Sequence, residues 1–308
     1  MPSSYFDNLP VELLQAIVCL LGSRELCMFR LSCKRIYEST RRHCARAFFQ
    51  EQHTELSLTK LEKLRVISND PELALPVHTL VVRVRPGTLL GEGLLWNRHS
   101  FGYLLPREGI QQWTDVLRRL VNCTTFNLIC DGWSDKNEGL DHLAPTDAIT
   151  VILNTITEAG IPVRGFLVDF KPANSAGANE LDVRRINTPD LQEPGFITAW
   201  ANLQALQLNF TMNSTMITDW VDSLVRHVNS LCKLTIQFDL WLEAEAIIER
   251  LSSIDAPSRL QELPLQSAAE INGERLSDLL CRYRDSIRVL NMQFILLSGL
   301  DGNRYFEC

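Results

Sequence analysis

Apolar residues crowd the start of the chain. From Leu9 the sequence runs Val11, Leu13, Leu14, Ile17, Val18, Leu20 and Leu21, while Glu12, Gln15, Ala16 and Cys19 fall on one narrow stripe at about 100° per residue. The apolar arc then covers about 180°, against about 100° for an ordinary surface helix. Pro10 suits the opening of a helix, and Gly22-Ser23 predicts its end near Leu21 with Ser23 as N-cap of the next. Leu26, Phe29, Leu31 and Ile36 supply apolar positions for following helices. A unit of about 40 residues cannot bury this much apolar surface alone. One side of the first helix can pack on its successors. The other needs either the rest of this chain or a second protein.

Residues 38–67 continue with helix-like spacing through Phe48, Phe49, Leu56, Leu61, Leu64, Val66 and Ile67, and Pro71 and Pro76 break the run. A different pattern follows, apolar-x-x-apolar-x-apolar. It occurs at Val77/Leu80/Val82, Cys123/Phe126/Leu128, Val163/Phe166/Val168, Leu203/Leu206/Leu208, Leu231/Leu234/Ile236, Leu260/Leu263/Leu265 and Ile287/Leu290/Met292. First positions are separated by 46, 40, 40, 28, 29 and 27 residues. At 45% apolar content the bare frame is common by chance, so the periodicity carries the weight. Helical spacing precedes four of the frames, at Trp113/Val116/Leu117/Leu120, Ile149/Ile152/Leu153/Ile156, Trp220/Leu224/Val228 and Leu276/Leu279/Leu280/Tyr283. A strand and a helix per repeat must stack on neighbours to bury their apolar faces. Three stretches, Pro86 to Ile110, Asp131 to Thr146 and Lys171 to Phe196, are rich in turn residues and read as surface loops.

Charge divides the chain. Of 308 residues with a net charge of −7, residues 1–70 hold ten Lys/Arg against eight Asp/Glu, so the remainder is the acidic part. Between Arg24 and Arg46 seven basic residues meet only Glu25 and Glu38, which suggests a separate module with either a solvated face or an acidic partner. The acidic total argues against general nucleic-acid binding. Apolar runs are too short to cross a bilayer, and Met1 to Asn8 lacks the features of a secretory signal. The nine cysteines contain no Cys-x-x-Cys pair and read as reduced core thiols of an intracellular protein, Cys19, Cys27 and Cys33 among them. On that reading the sequons at Asn122, Asn209 and Asn213 stay unmodified.

The opening segment, Leu9-Pro10-x-Glu12-Leu13-Leu14-x-x-Ile17-x-x-x-Leu21-x-x-x-Glu25-Leu26 followed by Cys33-Lys34-Arg35-x-Tyr37, resembles an F-box. It differs at Ile36, where many F-boxes carry Trp. The resemblance implies a three-helix module that docks onto the Skp-type adaptor, and through it the cullin, of a ubiquitin ligase. It also implies that Leu9, Pro10, Leu13, Leu14, Ile17, Leu21 and Leu26 form much of the adaptor-facing or module-core surface. The family's adaptor is acidic, which matches the basic residues. The later frames resemble leucine-rich repeats, which are often fused to F-boxes. Here the position often held by Asn or Cys carries Thr211, Asp239, Ala268 and Ile295, so no Asn ladder is expected. The expected fold is α+β or α/β: an F-box at 1–50, a helical linker at 51–75, and an irregular leucine-rich-repeat-like α/β solenoid at 76–308.

Strand residues alternating with the core set are expected on the concave face. They are Gln207, Asn209, Thr235, Gln237, Gln266, Asn291 and Gln293, and they form either a polar recognition strip for a target protein or a hydrogen-bonded amide ladder. Known catalytic signatures are missing. The six histidines lack metal-ligand spacing, with His43-Cys44 and His53 the nearest approach to a ligand set. No cofactor or metal is expected, and no enzymatic activity. The chain reads as a substrate receptor, with an adaptor-bound scaffold, or an enzyme built from the long loops, as alternatives.

Overall fold

A computed structural model of the chain describes residues 9–85, 87–96, 108–131, 143–171, 181, 193–210, 215–226, 228, 230–238, 241–253, 259–267, 270–293 and 296–298. Four helices open it: α1 (Val11–Leu20), α2 (Ser23–Arg30), α3 (Lys34–Ser39) and α4 (Arg41–Phe49). The expected three-helix module thus has a fourth helix. The break comes at buried Thr40, whose hydroxyl donates to the Ile36 carbonyl at 2.6 Å and ends α3 after six residues.

Then follow β1 (Glu51–Thr54), α5 (Leu58–Asn69), α6 (Pro71–Ala74), β2 (Thr79–Val84), α7 (Glu108–Leu117), β3 (Thr125–Asp131), α8 (Pro145–Ala159), β4 (Gly165–Lys171), α9 (Pro194–Trp200), β5 (Ala205–Asn209), α10 (Thr215–Arg226), β6 (Lys233–Phe238), α11 (Trp241–Ser253), β7 (Glu262–Ser267), β8 (Glu270–Asn272), α12 (Gly273–Tyr283), β9 (Val289–Gln293) and β10 (Leu296–Ser298). Strands β1 to β7 and then β9 form one sheet in chain order, and every pair is parallel; β8 and β10 form a separate parallel pair. The helices pack in the same order, α5 on α7, α7 on α8, α8 on α9, α10 on α11 and α11 on α12. Parallel neighbours require a crossover, and helices fill it here.

The apolar frames set the register. Leu80, Phe126, Phe166, Leu206 and Leu234 are successive partners across β2 to β6, and Val82, Leu128, Val168, Leu208 and Ile236 are another such row. Each is at most 2% exposed, so one face of every inner strand lies against the helices. The frame at β9 differs: Leu290 is 38% and Met292 40% exposed at the sheet's last strand. A common backbone device starts β2 to β7 and β9. The residue before each donates its N–H to the carbonyl of its counterpart one strand back: His78 to Gln50, Thr124 to His78, Arg164 to Thr124, Gln204 to Arg164, Cys232 to Gln204, Gln261 to Cys232 and Arg288 to Gln261, at 2.7–3.1 Å.

β1 corrects the expectation of an all-helical linker at 51–75. It pairs Gln52 with Leu80 and Thr54 with Val82. The eighth frame is Phe49-x-x-Gln52-x-Thr54, beginning 28 residues before Val77, and its inward positions hold polar residues that are 8% and 0% exposed. Leu61, Leu64 and Ile67 of α5 belong to the main core, and Phe49 packs against it. Arg41 of α4 also bridges Asp70 and Glu72 at 2.7 Å each, tying the N-terminal helices to α6.

The three insertions are not wholly surface loops. Leu90, Leu94, Leu143 and Leu181 are buried, and Leu90 pairs with Leu143 in an isolated bridge. An apolar residue within a turn-rich stretch anchors it to the core. The rest of these insertions, residues 97–107, 132–142, 172–180 and 182–192, lie outside the described residues, as do Thr211, Asp239, Ala268 and Ile295.

The cysteines also depart from expectation. Cys19 and Cys27 are exposed and Cys33 is half-buried, whereas Cys44, Cys123 and Cys130 are buried. Cys19 sits on the polar stripe of α1, which faces water. Cys281 is disulfide-bonded, so the reading of nine reduced thiols does not hold. Burial pushes the Cys123 thiol up to about 12 from an ordinary 9.0. The unfolded chain sheds this proton near pH 9 and the folded chain keeps it, so this contribution to stability is full below pH 9 and lost as pH rises toward 12. A thiol reagent at pH 8 is expected to label Cys19 and Cys27 at once and Cys123 only on unfolding. Equal labelling rates would contradict its burial.

Candidate functional site

Two faces are assembled from the residues that the sequence singled out. The first is on the N-terminal helices. Leu14 and Val18, one turn apart on α1, point inward and are 0% and 1% exposed. Val18 clusters with Leu26 and Cys44, and Leu21 and Phe29 pack against them. Ile36 is fully buried, so an apolar residue serves where the family often has Trp.

What remains is turned outward. Of the seven residues expected at the adaptor-facing or core surface, Leu14 and Leu26 are interior, Leu9, Ile17 and Leu21 are half-buried, and Pro10 and Leu13 are exposed. Val11, Leu20, Met28, Leu31, Tyr37 and Phe48 join Leu13 in exposure; Leu20 reaches 87% and Leu31 81%. These seven are half of the fourteen large apolar side chains that stand exposed among the described residues, confined to the first 48 positions. They are spread over the four N-terminal helices and the turn after α2, and Leu13 and Leu20 lie on one side of α1. Leu20 belongs to the wide apolar arc of the first helix, Leu31 was expected to pack within the module but is exposed, and Met28 carried no signal in the sequence.

Arg24, Lys34, Arg35, Arg42 and Arg46 are exposed on the same helices. Arg35 donates to the Leu9 carbonyl at 2.7 Å and fixes the entry to α1, while the Arg30 guanidinium lies 4.4 Å from the centre of the Tyr37 ring. Burial raises the Cys44 thiol, an effect opposed by Arg30 beside it.

The second face is the side of the sheet away from the helices. Gln207 pairs in register with Thr235, and Gln237, Gln266 and Gln293 are successive partners on β6, β7 and β9. Gln207, Asn209 and Gln237 are half-buried, and Asn291 and Gln293 are exposed. The same rows continue onto β2 to β4, where the sequence reading did not follow them. There Arg83 meets Asp131 at 2.9 Å, Asn209 donates to Asp169 at 3.5 Å, and Ile129 and Leu167 are half-buried. The signal was present: Arg83, Ile129 and Asp169 follow the third apolar position of their frames, and Leu167 lies between the second and third. Irregular spacing of the early frames hid it.

His43 and His53 are not brought into one ligand set: His43 approaches Cys19 at 4.0 Å and His53 meets Glu51 at 2.8 Å. Among the described residues no group of three or more His, Cys, Asp or Glu is placed to hold a metal ion, and no helix is long and apolar enough to cross a membrane.

Comparison with curated proteins gave no match. Residues 6–45 match the family model for the F-box domain, which covers α1, α2, α3 and half of α4. F-box domains dock onto Skp-type adaptors. By this match over residues 6–45, the chain carries an F-box domain.

Proposed function

We propose that the chain is the substrate-recognition subunit of an SCF-type, cullin-RING ubiquitin ligase. The observation that carries this reading is the concentration of exposed apolar side chains on an F-box. The F-box tethers the chain to the adaptor and through it to the cullin. The remainder acts as a leucine-rich-repeat-like α/β solenoid that holds a target protein inside the cell. Strands in chain order, frames in register and one recurring strand-entry hydrogen bond support the repeat reading. The outward face then supplies the target contacts, with Gln207, Asn209, Gln237, Gln266 and Gln293 among them.

The mechanism is proximity. Holding a target lysine near the ligase's conjugating enzyme raises its effective concentration and needs no catalytic residue from this chain. Proteins whose ubiquitination falls when the chain is deleted, and returns with the intact chain but not with one lacking residues 1–45, are its targets. Absence of any such protein, with adaptor binding intact, would leave a scaffold instead. Gln207→Glu with Gln237→Glu places two charges on the half-buried face. The pair is expected to reduce capture of such a target at least tenfold, read by co-precipitation, while adaptor binding stays unchanged. Unchanged capture would remove the strip from the target site.

A further inference from the structure

The residues that precede the strands form a file along the N-terminal rim of the sheet, because each is hydrogen-bonded to its counterpart on the previous strand. At strand spacing their side chains follow one another about every 4.8 Å. In the middle of the file lies a cleft of about 400 Å³, lined by His78, Thr124, Arg164 and Gln204, with Asn122 and Asn202 two positions upstream.

Its chemistry is one-sided. The lining holds a guanidinium, an imidazole, three amides and a hydroxyl, and no carboxylate, on a chain of net charge −7. Arg164 is exposed and its guanidinium meets no acceptor among the described residues. Three other arginines of the sheet layer are engaged, Arg83 with Asp131, Arg118 with the Glu158 carbonyl and Arg275 with Glu249. Two lining groups are held in place by backbone. His78 Nδ1 lies 3.2 Å from the Asn122 carbonyl, and Asn122 Nδ2 donates to the Leu75 carbonyl at 2.8 Å. Beside the cleft Val121 is 61% and Leu75 52% exposed, two of the few large apolar side chains left uncovered outside the F-box.

We propose that this rim cleft binds an acidic peptide segment of a protein partner. A Glu or Asp carboxylate meets Arg164, whose planar fork suits two parallel hydrogen bonds, with the Asn202 and Gln204 amides as further donors. A neighbouring apolar side chain of the peptide lies on Val121 and Leu75. From His78 to Gln204 the file spans three strand intervals, about 14 Å, which an extended peptide covers in roughly four residues. None of its lining residues is among the exposed apolar residues of the F-box helices or the outward strand positions of the sheet.

The test uses the full chain and a short fluorescein-labelled peptide of alternating Glu and Leu, followed by anisotropy. The peptide is expected to bind, and its Lys-for-Glu counterpart to fail. Arg164→Glu should weaken binding at least tenfold and Val121→Asp by several-fold, with melting temperature and adaptor co-purification unchanged, since both side chains are exposed. Equal affinity for the parent chain and Arg164→Glu would overturn the proposal. Displacement of the peptide by inorganic phosphate, with Val121→Asp binding normally, would also overturn it by showing a small-anion site.

Discussion

Leu13→Asp combined with Leu20→Asp is expected to abolish adaptor co-purification, with a loss in affinity above a hundredfold, and to leave the fold intact. Leu13 is 51% and Leu20 87% exposed, so neither change opens a cavity or buries a charge in the free chain. Exposed substitutions of this kind usually stay within about 0.5 kcal/mol. In the complex the balance reverses. A leucine buried at an interface contributes about 1.5–3 kcal/mol, less here for Leu13 because half of it is already covered. An aspartate in its place brings an unpaired charge against apolar surface, which adds a penalty of its own. Leu14→Ala is the contrasting variant. Leu14 is fully buried, so its truncation is expected to destabilise the module by about 2–5 kcal/mol and to weaken adaptor binding only through unfolding. Equal effects of the two variants on thermal stability would show that α1 has been assigned the wrong faces.

Trp200→Ala is expected to have the largest effect on the sheet layer, about 3–5 kcal/mol in denaturant unfolding. Trp200 ends α9 and is fully buried. Its ring stacks on Phe196 at 5.2 Å and meets Phe166 of β4 edge-on at 5.1 Å, joining helix to strand. Removing it empties the volume and breaks both ring contacts. Trp200→Phe should be far milder. The indole Nε1 has no hydrogen-bond partner, so replacing it by a hydrocarbon ring removes an unsatisfied buried donor and offsets part of the lost packing. If phenylalanine proves as damaging as alanine, the indole N–H has a role that its surroundings do not reveal.

Where apolar residues filled the inward positions, the sequence was a good guide. All seven apolar frames lie on strands β2 to β7 and β9 or immediately before them, and Gln237, Gln266 and Gln293 share a row as their spacing implied. β1 was hidden because Gln52 and Thr54 take the places of apolar residues. Hydropathy does not register a polar side chain that is buried at a sheet's edge. Leu90, Leu143 and Leu181 were hidden for the opposite reason, as single apolar anchors in turn-rich surroundings. On α1 the width of the apolar arc was legible but its division was not. Leu13 and Leu14 are adjacent and equally hydrophobic, and only the placement of α3 and α4 decides that one is interior and the other exposed.

Hydrogen exchange of the full chain with and without purified Skp-type adaptor tests the assignment of the exposed apolar face most directly. Protection should rise in the amides of α1 and α2 on adding the adaptor, with the strand amides of β3 to β6 unchanged. A complex that forms with no added protection between Val11 and Arg30, or with its protection confined to the sheet, would contradict it.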